Sequence, residues 1–232
     1  MKRCLLSCLL LFSINAHASC VILLHGLART SSSMEALAEA LAEEGFLPIN
    51  NGYPSRDYPI EQLARLAIEP ALDACPKGME VNFVTHSLGG ILVRQYLSNH
   101  TIPSLGRVVM LGPPNKGSEV VDKLHAVPGF HFINGDAGMQ LGTGSLSIPN
   151  SLGKANFDVG VIAGTRSINW ILSALIPNTD DGKVSIESTK LDGMQDHIQM
   201  PVTHPFMMKN KLVIAQVVTY LKYGYFKHTD NP

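Results

Sequence analysis

Charge is scarce in this chain, and what there is nearly cancels. Asp, Glu, Lys and Arg make up 16% of the 232 residues and leave a formal net charge of -1. The basic residues are scattered, so no stretch reads as a site for nucleic acid or for an anionic membrane surface. Cysteine is scarce as well, four in all, and Cys4 and Cys8 fall close to the N-terminus. Cys20 and Cys75 lack zinc-like spacing and no carboxylate cluster reads as a calcium loop, so neither a metal nor a cofactor is expected. Internal repeats and low-complexity segments are missing too. No apolar run is long enough to cross a bilayer.

What is present begins with an export signal. Met1-Lys2-Arg3 is positive, Cys4 to Ile14 is a short apolar run, and Ala16-His17-Ala18 is a small-x-small end. Residues 1–18 therefore read as a signal peptide cleaved after Ala18, which predicts an exported protein, periplasmic or secreted. A lipoprotein signal using Cys20 is the rival reading, but His17 stands where such signals want an aliphatic residue. The mature chain, 19–232, has the length of one domain, and 45% hydrophobic content suits an ordinary core. Only Cys20 and Cys75 remain in it, and an even pair in an exported chain is expected to be bridged. Cys20 starts the first strand and Cys75 ends a helix leading to a neighbouring strand, which brings both to the amino edge of the sheet.

The apolar pattern alternates between two periods. Short runs at Val21–Leu24, Phe46–Ile49, Val81–Val84, Arg107–Leu111 and Val159–Ala163 suit strands buried on both faces. Between them, Met34, Leu37, Ala38 and Leu41, and then Ile60, Leu63, Ala64, Ala67, Ile68 and Ala71, fall at helical spacing, with Pro70 expected to kink the second stripe. A further strand is expected near Ile198, followed by a last helix carrying Ile214, Val217, Val218 and Leu221, with Pro205 at its start. Such alternation predicts an α/β fold, a mostly parallel sheet covered on both faces. From Asn115 to about Asn156 the rhythm breaks. That stretch reads either as a small cap over the carboxyl edge of the sheet or as a surface excursion packed by its own side chains.

The stretch Thr85-His86-Ser87-Leu88-Gly89-Gly90 joins a strand to a helix. A serine at such a turn is lifted clear of the sheet edge, and Gly89 and Gly90 allow the helix to cross close to its strand. Thr85 departs from the glycine of G-x-S-x-G. Ser87 is a candidate nucleophile, with a helix N-cap as the alternative reading. Acyl transfer through serine needs a base, a carboxylate to orient it and donors for the oxyanion. His204 lies just after the last strand, whereas the rival bases His25 and His86 belong to turns and His197 to a strand. Asp181, or Asp180 beside it, supplies the acid, giving the order Ser, Asp, His.

These motifs, with Leu24-His25-Gly26-Leu27, Gly112-Pro113-Pro114 and Asp181-Gly182-Lys183-Val184, make the chain resemble an α/β-hydrolase of the bacterial lipase and esterase kind. In that family the acid directly precedes a glycine, which favours Asp181. The resemblance also implies oxyanion donors at the backbone N–H groups of Leu27 and Leu88. It implies a serine hydrolase for small-molecule ester or lipid substrates, acting through Ser87, Asp181 and His204. An acyltransferase on the same residues and a non-catalytic hydrolase-like binding protein are the alternatives, and oligomeric state is left open.

Overall fold

The computed structural model describes residues 19–144 and 147–228, and the expected signal peptide at 1–18 lies outside them. Every residue of β1 (Cys20–Leu24), β3 (Val81–His86) and β5 (Val159–Gly164) is buried. With β2 (Leu47–Ile49), β4 (Leu105–Leu111) and β6 (Asp196–Met200) they form a six-stranded sheet in the order β2-β1-β3-β4-β5-β6. All five pairings are parallel. Parallel strands need crossovers, and these are supplied by α1 (Glu35–Glu43), α2 (Ile60–Ala74) and α3 (Leu88–Asn99) early in the chain.

The two-residue period of the strands sorts their side chains between two layers. Ile22, Leu24, Phe83, Val108 and Met110 pack with the apolar stripes of α2 and α3. Val21, Leu23, Val84, Val109 and Leu111 pack on the other face with α1 and with the final helix of the chain. Burying one such side chain completely contributes about 1.5–3 kcal/mol, so the apolar run at 21–24 and the run at 81–84, interrupted only by the buried Asn82, commit these strands to the sheet centre.

Three details add to the sequence expectation. Pro70, the position expected to kink, lies inside α2, which continues past it to Ala74. Proline removes the bond to the carbonyl of Leu66, and both Leu66 and Pro70 face solvent, where water can replace it. The excursion after β4 contains helices of its own, namely α4 (Glu119–Leu124), α5 (Phe130–Met139) and α6 (Ile148–Ser151). After β5 come the short helices α7 (Trp170–Ser173) and α8 (Ile186–Thr189). The chain's end is also divided: His204–Lys209 forms a 3-10 helix with Pro205 in its first turn, and α9 (Lys211–Tyr223) starts afresh. Asn210 causes the restart, because its side chain accepts from the N–H groups of Leu212 at 2.9 Å and Val213 at 3.2 Å and so caps a new helix.

The excursion is tied to the core by polar contacts. Arg94 of α3, 5% exposed, donates to the carbonyls of Asn115 (2.9 Å), Pro149 (2.9 Å) and Gly153 (2.8 Å). Burial pushes its pKa down to about 10, which still leaves it charged at neutral pH. Asn115 in turn donates to the Thr189 carbonyl at 2.8 Å, and the Gln140 side chain accepts from Ile60 N–H, the first residue of α2, at 2.7 Å. An apolar replacement of Arg94 would leave these carbonyls buried without a donor.

Cys20 and Cys75 are bridged, with their Cα atoms 5.9 Å apart. Cys20 opens β1 and Cys75 follows the last residue of α2, so the bond closes the amino edge of the sheet, away from the Ser87 turn. The bridge leaves Cys20 no thiol for a lipid. A crosslink across this separation stabilises a fold by about 2–4 kcal/mol, chiefly by restricting the unfolded chain. Replacing both cysteines with serine is therefore expected to lower the urea unfolding free energy by that amount; an unchanged midpoint would show the bond to be energetically idle.

Candidate active site

Ser87 occupies the N-cap position of α3, but its side chain makes no capping bond. Its backbone has φ 52 and ψ -119, a conformation that costs a non-glycine residue on the order of 1–3 kcal/mol. The turn holds it there: Ser87 N–H donates to the Leu111 carbonyl at 2.9 Å, and α3 begins at once. The helix is pressed against β1 so closely that a Cβ on Gly89 would lie 2.6 Å from the Leu24 carbonyl oxygen. Thr85 is accommodated because Gly90 faces it, a Cβ there being 3.3 Å from the threonine Oγ1. With no capping role, the Ser87 side chain lines a pocket of about 270 Å³.

His204 and Asp181 meet in the wall of the same region. His204 Nδ1–H donates to Asp181 Oδ2 at 2.7 Å, and both side chains are nearly inaccessible to solvent. The other oxygen of Asp181 accepts from Lys183 N–H at 3.0 Å and Val184 N–H at 2.9 Å. Both carboxylate oxygens are thus engaged, and the turn that begins at Asp181 aims one of them at the imidazole. Asp180 points elsewhere, bonding Ser173 Oγ at 2.7 Å and Gly182 N–H at 2.6 Å. Gly112, at φ 54, lets the chain pass beside the pair: a Cβ would lie 2.9 Å from Asp181 Oδ2 and 3.1 Å from His204 Nδ1.

The other histidines are occupied. His25 stacks on Tyr53 with ring centroids 4.1 Å apart, donates from Nδ1 to the Gly26 carbonyl and accepts from Tyr53 N–H at its other nitrogen. His86 donates from Nε2 to the backbone carbonyl of His204 at 3.0 Å, a positioning contact that sequence reading missed because its partner lies 118 residues away. Its Nδ1 is buried without a partner. His197 in β6 bonds Thr189 Oγ1.

Ser87, His86 and His204 share the pocket wall. Among the hydrogen bonds of the described residues none joins Ser87 Oγ to His204, and such bonds are commonly long before substrate engages. Leu27 lines the pocket too, in the turn after β1, and Leu88 is the first residue of α3, where N–H groups have no intrahelical partner. Neither N–H finds a backbone acceptor among the loop and turn bonds of the described residues. The excursion supplies apolar lining through Val120, Val121, Leu124, Phe130 and Leu141. Phe132 and Ile133, which the sequence grouped with these, point outward and are 88% and 59% exposed. Arg29 and Lys183 also line the pocket, and sequence reading passed over both.

Comparison with protein-family models finds no match, and neither does comparison with curated proteins. Solved structures do match. A mature lipase from Bacillus licheniformis superposes with a TM-score of 0.70 at 20% identity, over 89% of this chain and 93% of that one. An esterase from a Rhodococcus species gives 0.55 at 19% identity, over 89% and 91%. An extracellular α/β-hydrolase from a Paenibacillus species gives 0.56 at 13% identity, over 87% and 98%. The chain has the α/β-hydrolase fold.

Burial lowers the pKa of His86 well below 6.5, with the charge of His204 adding to the effect, and burial lowers that of His25 as well. Both are neutral in the fold, while in the unfolded chain they take a proton near 6.5. The unfolded state then binds more protons below that pH, so their contribution to stability is complete above about 6.5 and declines as pH falls toward the depressed folded values. Thermal melting temperatures should therefore drop between pH 7 and pH 5, and less steeply in His86→Gln, which keeps a donor for the His204 carbonyl. Parallel profiles for the two proteins would show that His86 does not carry the effect.

Proposed function

We propose that this protein is an exported serine hydrolase that cleaves carboxylic esters through an acyl-enzyme on Ser87. The observation that carries the reading is the buried 2.7 Å pairing of His204 Nδ1 with Asp181 beside a strained, uncapped serine in an apolar pocket. His204 Nε2 is the ring nitrogen left for the serine. It takes the Ser87 proton as Oγ attacks the ester carbonyl, and the resulting imidazolium is stabilised by the Asp181 carboxylate. The N–H groups of Leu27 and Leu88 receive the oxyanion. Collapse of the tetrahedral intermediate expels the alcohol, which takes its proton from His204. Water then attacks the acyl-enzyme by the same route in reverse and releases the acid.

Export is supported by the Cys20–Cys75 bridge, since such bonds form and persist in oxidising compartments. In this reading residues 1–18 are a signal peptide and 19–232 one domain, with 115–156 an anchored cap that shapes the acyl site.

Ser87→Ala and His204→Ala are each expected to reduce hydrolysis of p-nitrophenyl butyrate by about 10³-fold or more, because such residues act as a unit. Asp181→Asn should cost a comparable factor and Asp180→Asn far less. A folded Ser87→Ala protein with near-normal turnover would sink the mechanism; the reverse order for the two aspartates would move the acid to Asp180.

The cap makes a separate claim on chain length. Leu124→Ala and Phe130→Ala widen the apolar wall, so kcat/KM for p-nitrophenyl octanoate relative to the acetate should change. Equal effects on both esters would mean that the segment only supports the fold.

A further inference from the structure

The pocket carries charge of one sign only. Arg29 and Lys183 are its fixed cations, and no Asp or Glu lines it, although the chain as a whole has a formal net charge of -1. Neither cation takes part in an ion pair among the described residues. Asp181 forms no ion pair with Lys183, its oxygens being bonded to His204 and to the backbone N–H groups of Lys183 and Val184, although its charge acts on the lysine through space against the effects of burial and Arg29. The two cations come from the loops that carry the proposed chemistry: Arg29 follows Leu27 in the turn after β1, and Lys183 follows Asp181. Apolar lining enters from α4, α5 and Leu141, and also from Leu27 and Val184 in the loops that carry the cations. The α4 and α5 side of the pocket carries no charge, while both cations sit on the side of the proposed chemistry.

Two like charges in one pocket repel, and a bound anion would relieve both. Desolvation in the pocket wall lowers the pKa of Lys183, and the charge of Arg29 lowers it further, although the lysine side chain still meets solvent at the mouth. A surface arginine or lysine is ordinarily left to solvent, so what sets Arg29 and Lys183 apart is their shared place in the pocket that Ser87 and His204 line.

We propose that the pocket selects esters bearing an anionic group, phosphate or carboxylate, close to the scissile carbonyl, with Arg29 and Lys183 as its receptor and the apolar chain lying along α4 and α5. Arg29 offers a planar fork that suits two oxygens at once, and Lys183 a mobile point charge. The inference rests on the hydrolase reading and names its substrate class: an amphiphilic ester, anionic at one end and apolar at the other.

The test compares matched esters. Kinetic constants are measured for 4-butanoyloxybenzoate and its neutral counterpart 4-butanoyloxybenzamide, and for a monoacylglycerol phosphate and the monoacylglycerol of the same chain. The anionic member of at least one pair is expected to have the higher kcat/KM by about tenfold, the scale of one charge-assisted hydrogen bond, and the advantage should shrink with added salt. The pair that shows it distinguishes carboxylate from phosphate recognition. Arg29→Gln and Lys183→Met should each lower the anionic-to-neutral ratio, while Lys183→Arg preserves it. A wild-type ratio near one in both pairs overturns the proposal, as does an equal loss on charged and neutral esters in the variants. Binding of octyl phosphate, octanoate and octanol to Ser87→Ala by calorimetry gives a readout independent of turnover, and no tighter binding of either anion than of octanol would again overturn it. Failure of the hydrolase reading looks different: no ester, neutral or charged, would be cleaved.

Discussion

The close crossing of α3 over β1 is the constraint from which the site follows. The strand leading to Ser87 must turn into a helix within one residue, and that residue takes a backbone conformation that L side chains avoid. Packing maintains the strain. The Ser87 N–H is tied to β4 through the Leu111 carbonyl, and Gly89 lies so near the Leu24 carbonyl that no Cβ would fit. A capping bond would turn the serine toward its own helix; without one, its oxygen belongs to the pocket. The apolar runs of β1 and β3, buried on both faces, keep the turn from relaxing.

Around this turn the polar groups divide into those that are satisfied and those left available. Asp181 uses both oxygens, one for the imidazole and one for its own turn, which fixes the carboxylate direction before any substrate arrives. His86 is neutral and holds the His204 backbone from the far side. His25 is locked against Tyr53 and shapes the turn in which Leu27 and Arg29 lie. Thr85 Oγ1 and His86 Nδ1 are buried without a partner, while the serine side chain and the two pocket cations, unpartnered among the described residues, face the pocket and are the groups through which the proposed chemistry and selectivity would act.

The excursion between β4 and β5 shows how a glycine-rich segment becomes part of the site. Its apolar residues split, Leu124, Phe130 and Leu141 facing the pocket while Phe132 and Ile133 face solvent. Its irregular backbone leaves carbonyls that no strand or helix satisfies, and Arg94 supplies them from beneath. Because Arg94 belongs to the helix that follows Ser87, the segment lining the pocket is anchored to the same element that carries the serine.

Local pattern was enough to read the parallel sheet with its two helical layers, the strand-to-helix turn at Ser87 and the pairing of Cys20 with Cys75, because alternation period, turn chemistry and compartment each act along the chain or through composition. The same reading left Asp180 and Asp181 as neighbours in one turn and could rank them only by likeness to a family. Tertiary structure separates them, since which carboxylate reaches His204 depends on how the loop after β5 packs against the turn after β6. It alone also decided that Arg94 holds the excursion, that Asn210 starts a separate last helix, and that Arg29 and Lys183 line one pocket whose lining residues include no acid. These facts join residues far apart in sequence, and a long-range contact leaves no periodic trace in a single chain.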